Sequence, residues 1–292
     1  MRAVVTGARG FLGSRVADLL EEGGHDVVRV SRPHGASRAL AGEAIEIDSG
    51  DPAARDLLAG AHAVFHFAGV PDPARSRSDP AWAVRQNAGT TLNLLEGCQE
   101  HDCGLVFPST VRAALDPPPD PYALSKRLGE ETCRLHPASA TVIRLTSVFG
   151  PGQVAREGAT GAIAAFAARA LAGEPIVIPG DPERMRDFVY VDDLVPALEA
   201  IVVEARWNKT LTLASGVGTP LRRAAELVRD AAGPEAPIET PGGALEPGEN
   251  LSYGADRAGP TLGFGVRPLE EAIPLYVDWL RHHPTAQGRS GP

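Results

Sequence analysis

Residues 6–13 read Thr-Gly-Ala-Arg-Gly-Phe-Leu-Gly, and this stretch decides the fold. It directly follows a short β-branched run at residues 3–5 and opens a helical pattern over residues 11–20. Glycines at this spacing allow a tight turn, a close approach of the backbone to a ligand and close packing of the helix on the sheet. A helix N-terminus behind such a turn favours a pyrophosphate. The stretch therefore predicts a dinucleotide site that includes Gly7, Gly10, Phe11 and Leu12.

Short apolar runs alternate with longer helical patterns through the first half of the chain. The predicted strands cover residues 3–5, 27–30, 44–47, 63–67, 105–107 and 141–145. The predicted helices cover residues 11–20, 82–99 and 122–135. Strands that are apolar throughout and separated by helices are typical of a parallel sheet covered on both faces. The pattern therefore predicts an α/β fold with a Rossmann-type doubly wound parallel sheet.

The alternation loosens after residue 150, where we expect a smaller C-terminal α/β lobe. Its predicted parts are a helix at 162–171, a strand at 176–178, a Pro/Gly-rich stretch at 233–248 and a closing helix near 271–281. Residues 1–150 would then form the dinucleotide-binding domain and residues 151–285 mainly a substrate-binding lobe. We expect segments near 187–215 to return to the main sheet and the tail at 286–292 to be frayed.

Composition and charge narrow the classes of partner. The chain of 292 residues is 43% apolar and carries a formal net charge of −9. Nucleic acid and anionic membranes need a basic face, so neither is expected as the main partner. No apolar stretch reaches the ~18 residues of a membrane span, and no leader pattern precedes the first strand. Because its three cysteines form no CxxC pair, we expect free thiols, no metal site and a cytoplasmic location.

The end of the second predicted strand bears on which dinucleotide is bound. An acidic residue there would accept hydrogen bonds from the ribose 2′-hydroxyl of NAD. The sequence has Ser31 and Arg32 instead, and a guanidinium suits the 2′-phosphate of NADP. NADP(H) is therefore favoured and NAD(H) stays possible, the alternative being that Arg32 is a solvated loop residue. Asp48, at the end of the third strand, would contact the adenine amino group or serve as a turn residue.

Tyr122 and Lys126 lie four residues apart, which places a phenol and an ammonium on one face of a helix. A free phenol has a pKa near 10, too high for proton transfer at neutral pH. A neighbouring cation stabilises the phenolate, so Tyr122 can act as general acid or base toward a carbonyl or an alcohol. Thr110 follows the fifth strand at the edge where the crevice is expected. Its hydroxyl can hydrogen-bond the same substrate oxygen.

With these elements in this order, the sequence resembles the extended short-chain dehydrogenase/reductases, in the branch of sugar-nucleotide epimerases, dehydratases and reductases. The resemblance covers nearly the whole chain. It also rests on FHFAG at 65–69, NAGT at 87–90, Arg144, VFGPGQ at 148–153, RDFVYVDD at 186–193, LASG at 213–216 and AD at 255–256.

The resemblance implies hydride transfer at a sugar carbon. It implies that Thr110 takes the place of the catalytic Ser/Thr, that Tyr122 is the acid/base, and that Lys126 binds ribose and tunes Tyr122. Arg186 corresponds to the arginine that typically contacts a substrate diphosphate, although an ion pair with Asp187 or Asp192 is the alternative. The remaining implied contacts are Phe67, Ala68, Gly69 and Asn87 for the cofactor and Ser147 for the substrate.

The sequence also departs from the family pattern. Val111 and Arg112 stand where dehydratases carry an Asp-Glu pair, and Arg112 stands where decarboxylases keep a Glu. Dehydration and decarboxylation are therefore disfavoured. The loop from 110 to 122 is shorter than in most relatives, and Ser147 replaces an Asn that often touches the diphosphate. Where a second phosphate-binding arginine often lies, the sequence has Glu246, Pro247 and Gly248.

Several functional hypotheses follow from these matches and departures. An NADPH-dependent 4-ketoreductase of a nucleotide-linked deoxysugar fits Ser31 and Arg32, and it is the hypothesis we favour. An NAD-dependent nucleotide-sugar 4-epimerase fits the segments at 148–153 and 186–193. A reductase of a non-sugar ketone fits the weakened diphosphate contacts. A non-catalytic nucleotide sensor would be expected to lose Tyr122 or Lys126. By resemblance alone, the helices at 82–99 and 122–135 suggest a homodimer.

Overall fold

The computed structural model describes residues 1–33, 43–71, 73–155, 161–233, 235–245, 252 and 265–283. Within them, strands β1 to β12 lie at Arg2–Thr6, Asp26–Ser31, Ile45–Glu46, Ala63–His66, Gly104–Thr110, Ala140–Leu145, Ser147–Phe149, Ile176–Pro179, Met185–Tyr190, Thr210–Leu213, Gly218–Pro220 and Ile238–Gly242. Helices α1 to α9 lie at Phe11–Glu22, Pro73–Ser78, Pro80–Val84, Thr90–His101, Pro121–Leu135, Ala162–Leu171, Leu194–Val203, Leu221–Ala232 and Leu269–His282.

The main sheet has seven strands in the order β3-β2-β1-β4-β5-β6-β10. All of its neighbouring strands run parallel. The strand order reverses between β1 and β4, and ligands of open parallel sheets bind at the carboxyl edge of such a switch point. The predicted doubly wound Rossmann-type sheet is therefore confirmed, and its crevice lies beside the glycine turn that follows β1.

Burial on both faces explains why the strands are apolar throughout. Every residue of β4 and β5 is buried. One face packs against α1 and α7, with Val16, Leu20 and Leu198 in its core. The other face packs against α4 and α5, with Leu94, Leu95 and Cys133 in its core. Since neither face of these central strands meets water, strands with alternating polarity would not fit at these positions.

The second lobe consists of two small sheets and three helices. A three-stranded sheet has the order β11-β9-β7, and a two-stranded sheet pairs β12 with β8. Helices α6, α8 and α9 enclose a separate hydrophobic core around Phe149 and Tyr276. Only Thr146 separates β6 of the main sheet from β7 of this lobe.

The buried carboxylate of Asp187, in β9, fastens the connections between the two parts. It accepts hydrogen bonds from the Thr146 hydroxyl at 3.1 Å and from the backbone N–H groups of Ser215 and Gly216 at 2.9 and 2.8 Å. Ser215 and Gly216 connect β10 of the main sheet to β11 of the small one. A single carboxylate therefore holds two of the crossings between the sheets.

The predicted elements differ from the observed ones at their ends, and one predicted helix is interrupted in its middle. The predicted helix at 82–99 is divided into α3, a π-helical turn over Arg85–Gly89 and α4. Helix α5 begins at Pro121, one residue early, because Asp120 caps it and proline suits the first helical position. Glu246, Pro247, Gly248, Ala255, Asp256 and the tail at 286–292 lie outside the described residues.

Candidate active site

A cavity of about 910 Å³ runs along the carboxyl edge of the main sheet. The glycine turn and the ends of β1, β2 and β4 form one side, and parts of β7, β9 and α6 form the other. The C-terminal end of β5 and the N-terminal start of α5 lie between these two sides. This volume is typical of cofactor and substrate pockets, and the cavity reaches from the crevice of the main sheet into the second lobe.

The glycine turn forms a backbone cradle at the start of α1. Gly7 has a φ of +67°, and a Cβ on it would come within 2.6 Å of the backbone nitrogen of Ala68. A Cβ on Gly13 would lie 2.3 Å from the carbonyl oxygen of Gly7, so only glycine lets α1 start so close to the turn. Gly10, Phe11 and Leu12 line the cavity. A helix N-terminus that follows a turn of glycines, which carry no side chains, suits a pyrophosphate. These residues therefore fit a dinucleotide.

The end of β2 also faces the cavity. Ser31 is buried and Arg32 is exposed, and both line this end together with Asp48. The carboxylate of Asp48 accepts a hydrogen bond from the backbone N–H of Gly50 at 2.8 Å, so this residue also closes a turn. Arg9, which the sequence did not mark as a site residue, lines the same end.

Phe67, Ala68 and Gly69 form the cavity wall after β4. Asn87 lies behind this wall, in the π-helical turn, and is not among the residues that line the cavity. Its amide accepts a hydrogen bond from the backbone N–H of Val70 at 2.8 Å and donates one to the Ser125 hydroxyl at 2.8 Å. The predicted effect of Asn87 on the cofactor would therefore act through the loop that it holds.

Thr110, Tyr122 and Lys126 all line the middle of the cavity. Thr110 ends β5, and its hydroxyl oxygen accepts a hydrogen bond from the backbone N–H of Arg112 at 3.3 Å. Tyr122 and Lys126 occupy successive turns of α5, as the spacing predicts. The Lys126 ammonium is buried and donates to the carbonyl oxygen of Pro108 at 2.8 Å, which ties it to β5. The structure therefore brings the three predicted catalytic residues into one wall.

Burial shifts the proton affinities of this pair. It lowers the pKa of the Lys126 ammonium to about 8, although the Glu130 carboxylate opposes the shift. It raises the pKa of the Tyr122 phenol, although the charge of Arg112 opposes that shift. Additional positive charge beside Tyr122 is therefore needed before its phenolate is populated near neutral pH, and an oxidised nicotinamide ring carries such a charge.

A buried network behind the catalytic wall was not predicted from the sequence. The Ser109 hydroxyl donates to the Glu130 carboxylate at 2.5 Å. Arg144 donates to the two oxygens of the same carboxylate at 3.0 and 2.6 Å. These contacts join β5, α5 and β6 just below Lys126. The available signal was the position of Glu130, one helical turn beyond Lys126 on the same face.

A second ion pair fixes the start of α5. The Arg112 guanidinium donates to the buried Asp120 carboxylate. Asp120 is also the N-cap of α5, since its other oxygen accepts from the backbone N–H of Ala123 at 2.8 Å. Arg112 lines the cavity together with Thr110 and Tyr122. Arg112, which stands where the dehydratases and decarboxylases carry an acidic residue, therefore links the turn after Thr110 to the helix that carries Tyr122.

The far end of the cavity lies in the second lobe. Ser147 and Arg186, both predicted to contact substrate, line it. Arg184, which no sequence motif indicated, lines it as well and donates to the carbonyl oxygen of Asp181 at 2.9 Å. Asp187 and Asp192 were the alternative ion-pair partners of Arg186. Asp187 instead accepts a hydrogen bond from the backbone N–H of Ser215, and Asp192 forms an ion pair with Arg15 at 2.7 Å. Two guanidiniums therefore border this end.

The described residues contain no group of three or more His, Cys, Asp or Glu side chains placed to hold a metal ion. None of their helices is both long and apolar enough to cross a membrane. All three cysteines are free and buried.

A parallel sheet with a backbone cradle at its switch point, and a Tyr–Lys pair beside that cradle, define an enzyme that uses a nicotinamide dinucleotide. Residues 3–210 match the model of the NAD dependent epimerase/dehydratase family, and the chain belongs to this family. The predicted family is therefore confirmed.

Three relatives show what the chain is similar to. UDP-glucose 4-epimerase from Mycolicibacterium smegmatis is 29% identical over 267 residues, which cover 81% of this chain and 85% of that enzyme. The Thermotoga maritima UDP-glucose 4-epimerase, solved with UDP-glucose, has a TM-score of 0.76 and 27% identity, covering 96% of this chain and 99% of the other. The Thermus thermophilus UDP-glucose 4-epimerase, solved with NAD, has a TM-score of 0.78 and 27% identity, covering 97% and 99%.

Proposed function

We propose that this enzyme is a nucleotide-sugar 4-epimerase that uses a bound NAD and consumes none. The observation that carries the proposal is the continuity of the cavity. It joins the glycine turn, the wall formed by Thr110, Tyr122 and Lys126, and the arginines of the second lobe. A nucleotide sugar that spans the second half would present its sugar to Tyr122 and its diphosphate to Arg186. The similarity to UDP-glucose 4-epimerases supports the same substrate class.

The chain's own residues would move one proton and orient the sugar. The Tyr122 phenolate accepts the proton of the 4-hydroxyl, and Thr110 hydrogen-bonds the same oxygen. The charge of Lys126, together with that of a bound oxidised nicotinamide ring, would lower the pKa of the Tyr122 phenol. A bound dinucleotide would supply the hydride acceptor and, once the keto sugar has turned its opposite face toward the ring, the hydride donor, which inverts the configuration at C4. Tyr122 then gives the proton back to the oxygen of the reduced carbon. One hydride and one proton have left the sugar and returned to it, so the dinucleotide ends in its starting oxidation state.

An NADPH-dependent 4-ketoreductase is the second candidate, because Ser31 and Arg32 at the end of β2 offer a hydroxyl and a cation where an acid would favour NAD. In this case the same Tyr122 protonates the oxygen of a keto sugar, and one dinucleotide is oxidised per turnover. The two candidates therefore differ in stoichiometry rather than in the residues that they use.

The test is an incubation of the purified enzyme with UDP-glucose and a catalytic amount of NAD, followed by NMR of the sugar and by absorbance at the NADH band. Formation of the 4-epimer without net NADH supports the proposal. In parallel, nucleotide released by heat is identified by mass spectrometry. An enzyme that leaves UDP-glucose unchanged but oxidises NADPH with a 4-keto nucleotide sugar would contradict the epimerase and support the reductase.

We also propose that the enzyme is a homodimer through α4 and α5. Leu92 of α4 and Leu124, Leu128 and Leu135 of α5 are large apolar side chains exposed to solvent. Leu124 and Leu128 are one helical turn apart, so they share a face. Such a face is stabilised when a second copy covers it. The division into a dinucleotide-binding domain at 1–150 and a mainly substrate-binding lobe at 151–285 is likewise our proposal.

A further inference from the structure

A carboxylate lies beside the end of β2, although β2 itself ends without one. Strand β3 pairs in parallel with β2, and the register places Glu46 opposite Ser31. Ser31 lines the cavity at the end where the glycine turn and Arg32 also lie. The neighbouring strand therefore places a carboxylate beside the end of β2.

Glu46 is joined to the glycine turn by an ion pair. The Arg9 guanidinium contacts the Glu46 carboxylate at 2.5 Å, with side-chain exposures of 19% and 46%. Arg9 stands between Ala8 and Gly10, and the backbone N–H of Ala8 donates to the carbonyl oxygen of Val30 at 3.1 Å. This bond holds the turn on the end of β2. The Arg9–Glu46 pair therefore bridges from the turn to β3 across the end of β2.

This position matters because the adenosine ribose of a bound dinucleotide lies at the end of the second strand of such a sheet. NAD places a neutral 2′-hydroxyl there, whereas NADP places a phosphate with a charge of about −2. A phosphate at this point meets the Glu46 carboxylate, and Arg9 is already neutralised by that carboxylate. Arg32 is solvent-exposed, so its attraction for the phosphate is screened.

We propose that the Arg9–Glu46 pair selects NAD over NADP, with Glu46 as the specificity-determining carboxylate. The inference rests on the dinucleotide site of the proposed function, but it does not depend on the substrate or on the direction of the reaction. The choice between NAD and NADP would then depend on Glu46 in β3 and Arg9 in the glycine turn. We also expect loss of Glu46 to free Arg9 to stand beside Arg32 and to accept a 2′-phosphate.

The experiment is a set of NADH and NADPH titrations, followed by the fluorescence of the bound nicotinamide, on protein freed of nucleotide. We compare the wild-type enzyme with Glu46→Gln, with the double variant Arg9→Gln/Glu46→Gln, and with the matched control Glu43→Gln. Glu43 is an exposed glutamate three residues before Glu46. Thermal melting of each variant shows that it is folded. Because no substrate is present, an enzyme that fails the epimerase test still gives a decisive result here.

Wild type and Glu43→Gln are expected to bind NADH more tightly than NADPH. Glu46→Gln should bind NADPH about tenfold more tightly than wild type, which corresponds to about 1.4 kcal/mol, while its affinity for NADH changes little. The double variant should lose that gain, because Arg9 then no longer meets the phosphate. A wild-type preference for NADPH, or an unchanged NADPH affinity in Glu46→Gln, would overturn the proposal. A gain that persists in the double variant would overturn the part assigned to Arg9.

Discussion

The hydroxyl of Tyr122 carries the proposed proton transfer, and it can be removed without changing the rest of the side chain. Tyr122→Phe leaves the ring and α5 in place, so the glycine turn and Lys126 keep their positions. Turnover is expected to fall by about 10²–10⁴, whereas the affinity for NADH stays nearly the same. Steady-state rates and dinucleotide titrations check the two halves of this prediction. A variant with wild-type turnover would rule out Tyr122 as the acid/base.

The lowered pKa of Lys126 predicts opposite pH dependences for activity and for stability. The pKa of about 8 in the folded chain lies below the value of about 10.4 for an unfolded lysine. Between these values the unfolded chain binds more protons, so the contribution of Lys126 to stability rises with pH. Over the same range the charge that assists Tyr122 is lost. We therefore expect kcat/KM for UDP-glucose to fall above pH ~8.

The two dependences are separated by measuring the free energy of unfolding and kcat/KM between pH 7 and pH ~10. Lys126→Met removes the titrating group. The free energy of unfolding of this variant should therefore rise less over this pH range than that of the wild-type enzyme. Other groups titrate equally in both proteins and cancel in the difference. Identical slopes in wild type and variant would show that Lys126 keeps its ordinary pKa.

At the scale of the element, the network of Ser109, Glu130 and Arg144 joins α5 to strands β5 and β6 of the main sheet. Arg144→Met leaves the Glu130 carboxylate buried without its guanidinium partner. The expected cost is about 3 kcal/mol of unfolding free energy. Arg144→Met/Glu130→Gln should cost less than the single change, because no unpaired charge then stays buried.

Urea unfolding measures these differences, and α5 offers a matched control. Arg134 forms an ion pair with Glu131 at 2.6 Å on the same helix, but both side chains are at least half exposed. Arg134→Met should therefore cost less than ~1 kcal/mol. Equal losses for Arg144→Met and Arg134→Met would mean that the buried network does not stabilise the position of α5.

At the scale of the whole molecule, the exposed leucines of α4 and α5 predict the oligomeric state. Leu128→Glu places a charge on the proposed interface and should convert the dimer to a monomer, because a desolvated, unpaired carboxylate is costly. Leu275→Glu is the control, since Leu275 is equally apolar, half exposed and on α9. Sedimentation velocity distinguishes the two forms. A monomeric wild-type protein would contradict the interface.

The sequence was sufficient for the fold because its signals are local. Apolar strands, helical periodicity and the glycines at 7, 10 and 13 each report on a few neighbouring residues, and together they predict the parallel sheet and its crevice. The spacing of Tyr122 and Lys126 likewise predicts that they share a helix face. These features need no knowledge of which segments meet in space.

The parts that escaped prediction are contacts between distant segments. Glu46 is placed beside Ser31 by the register of β3 with β2, and Arg184 reaches the cavity from the turn that leads into β9. Asn87 belonged to a predicted regular helix, but its π-helical turn directs the amide to the loop after β4. Register, turn type and packing are set by tertiary structure, which a single sequence does not state.

The carboxylate of Asp187 has a mechanical consequence. It holds Thr146 and the Ser215–Gly216 connection at one point. After β9 the chain returns toward the main sheet through Asp192 and Asp193, which form ion pairs with Arg15 and Arg267. We expect any opening of the cleft between the two lobes to hinge about this point. Tyr122 and Arg186 lie on opposite sides of the cavity, so the angle between the two lobes sets the distance between the proposed acid/base and the proposed diphosphate contact.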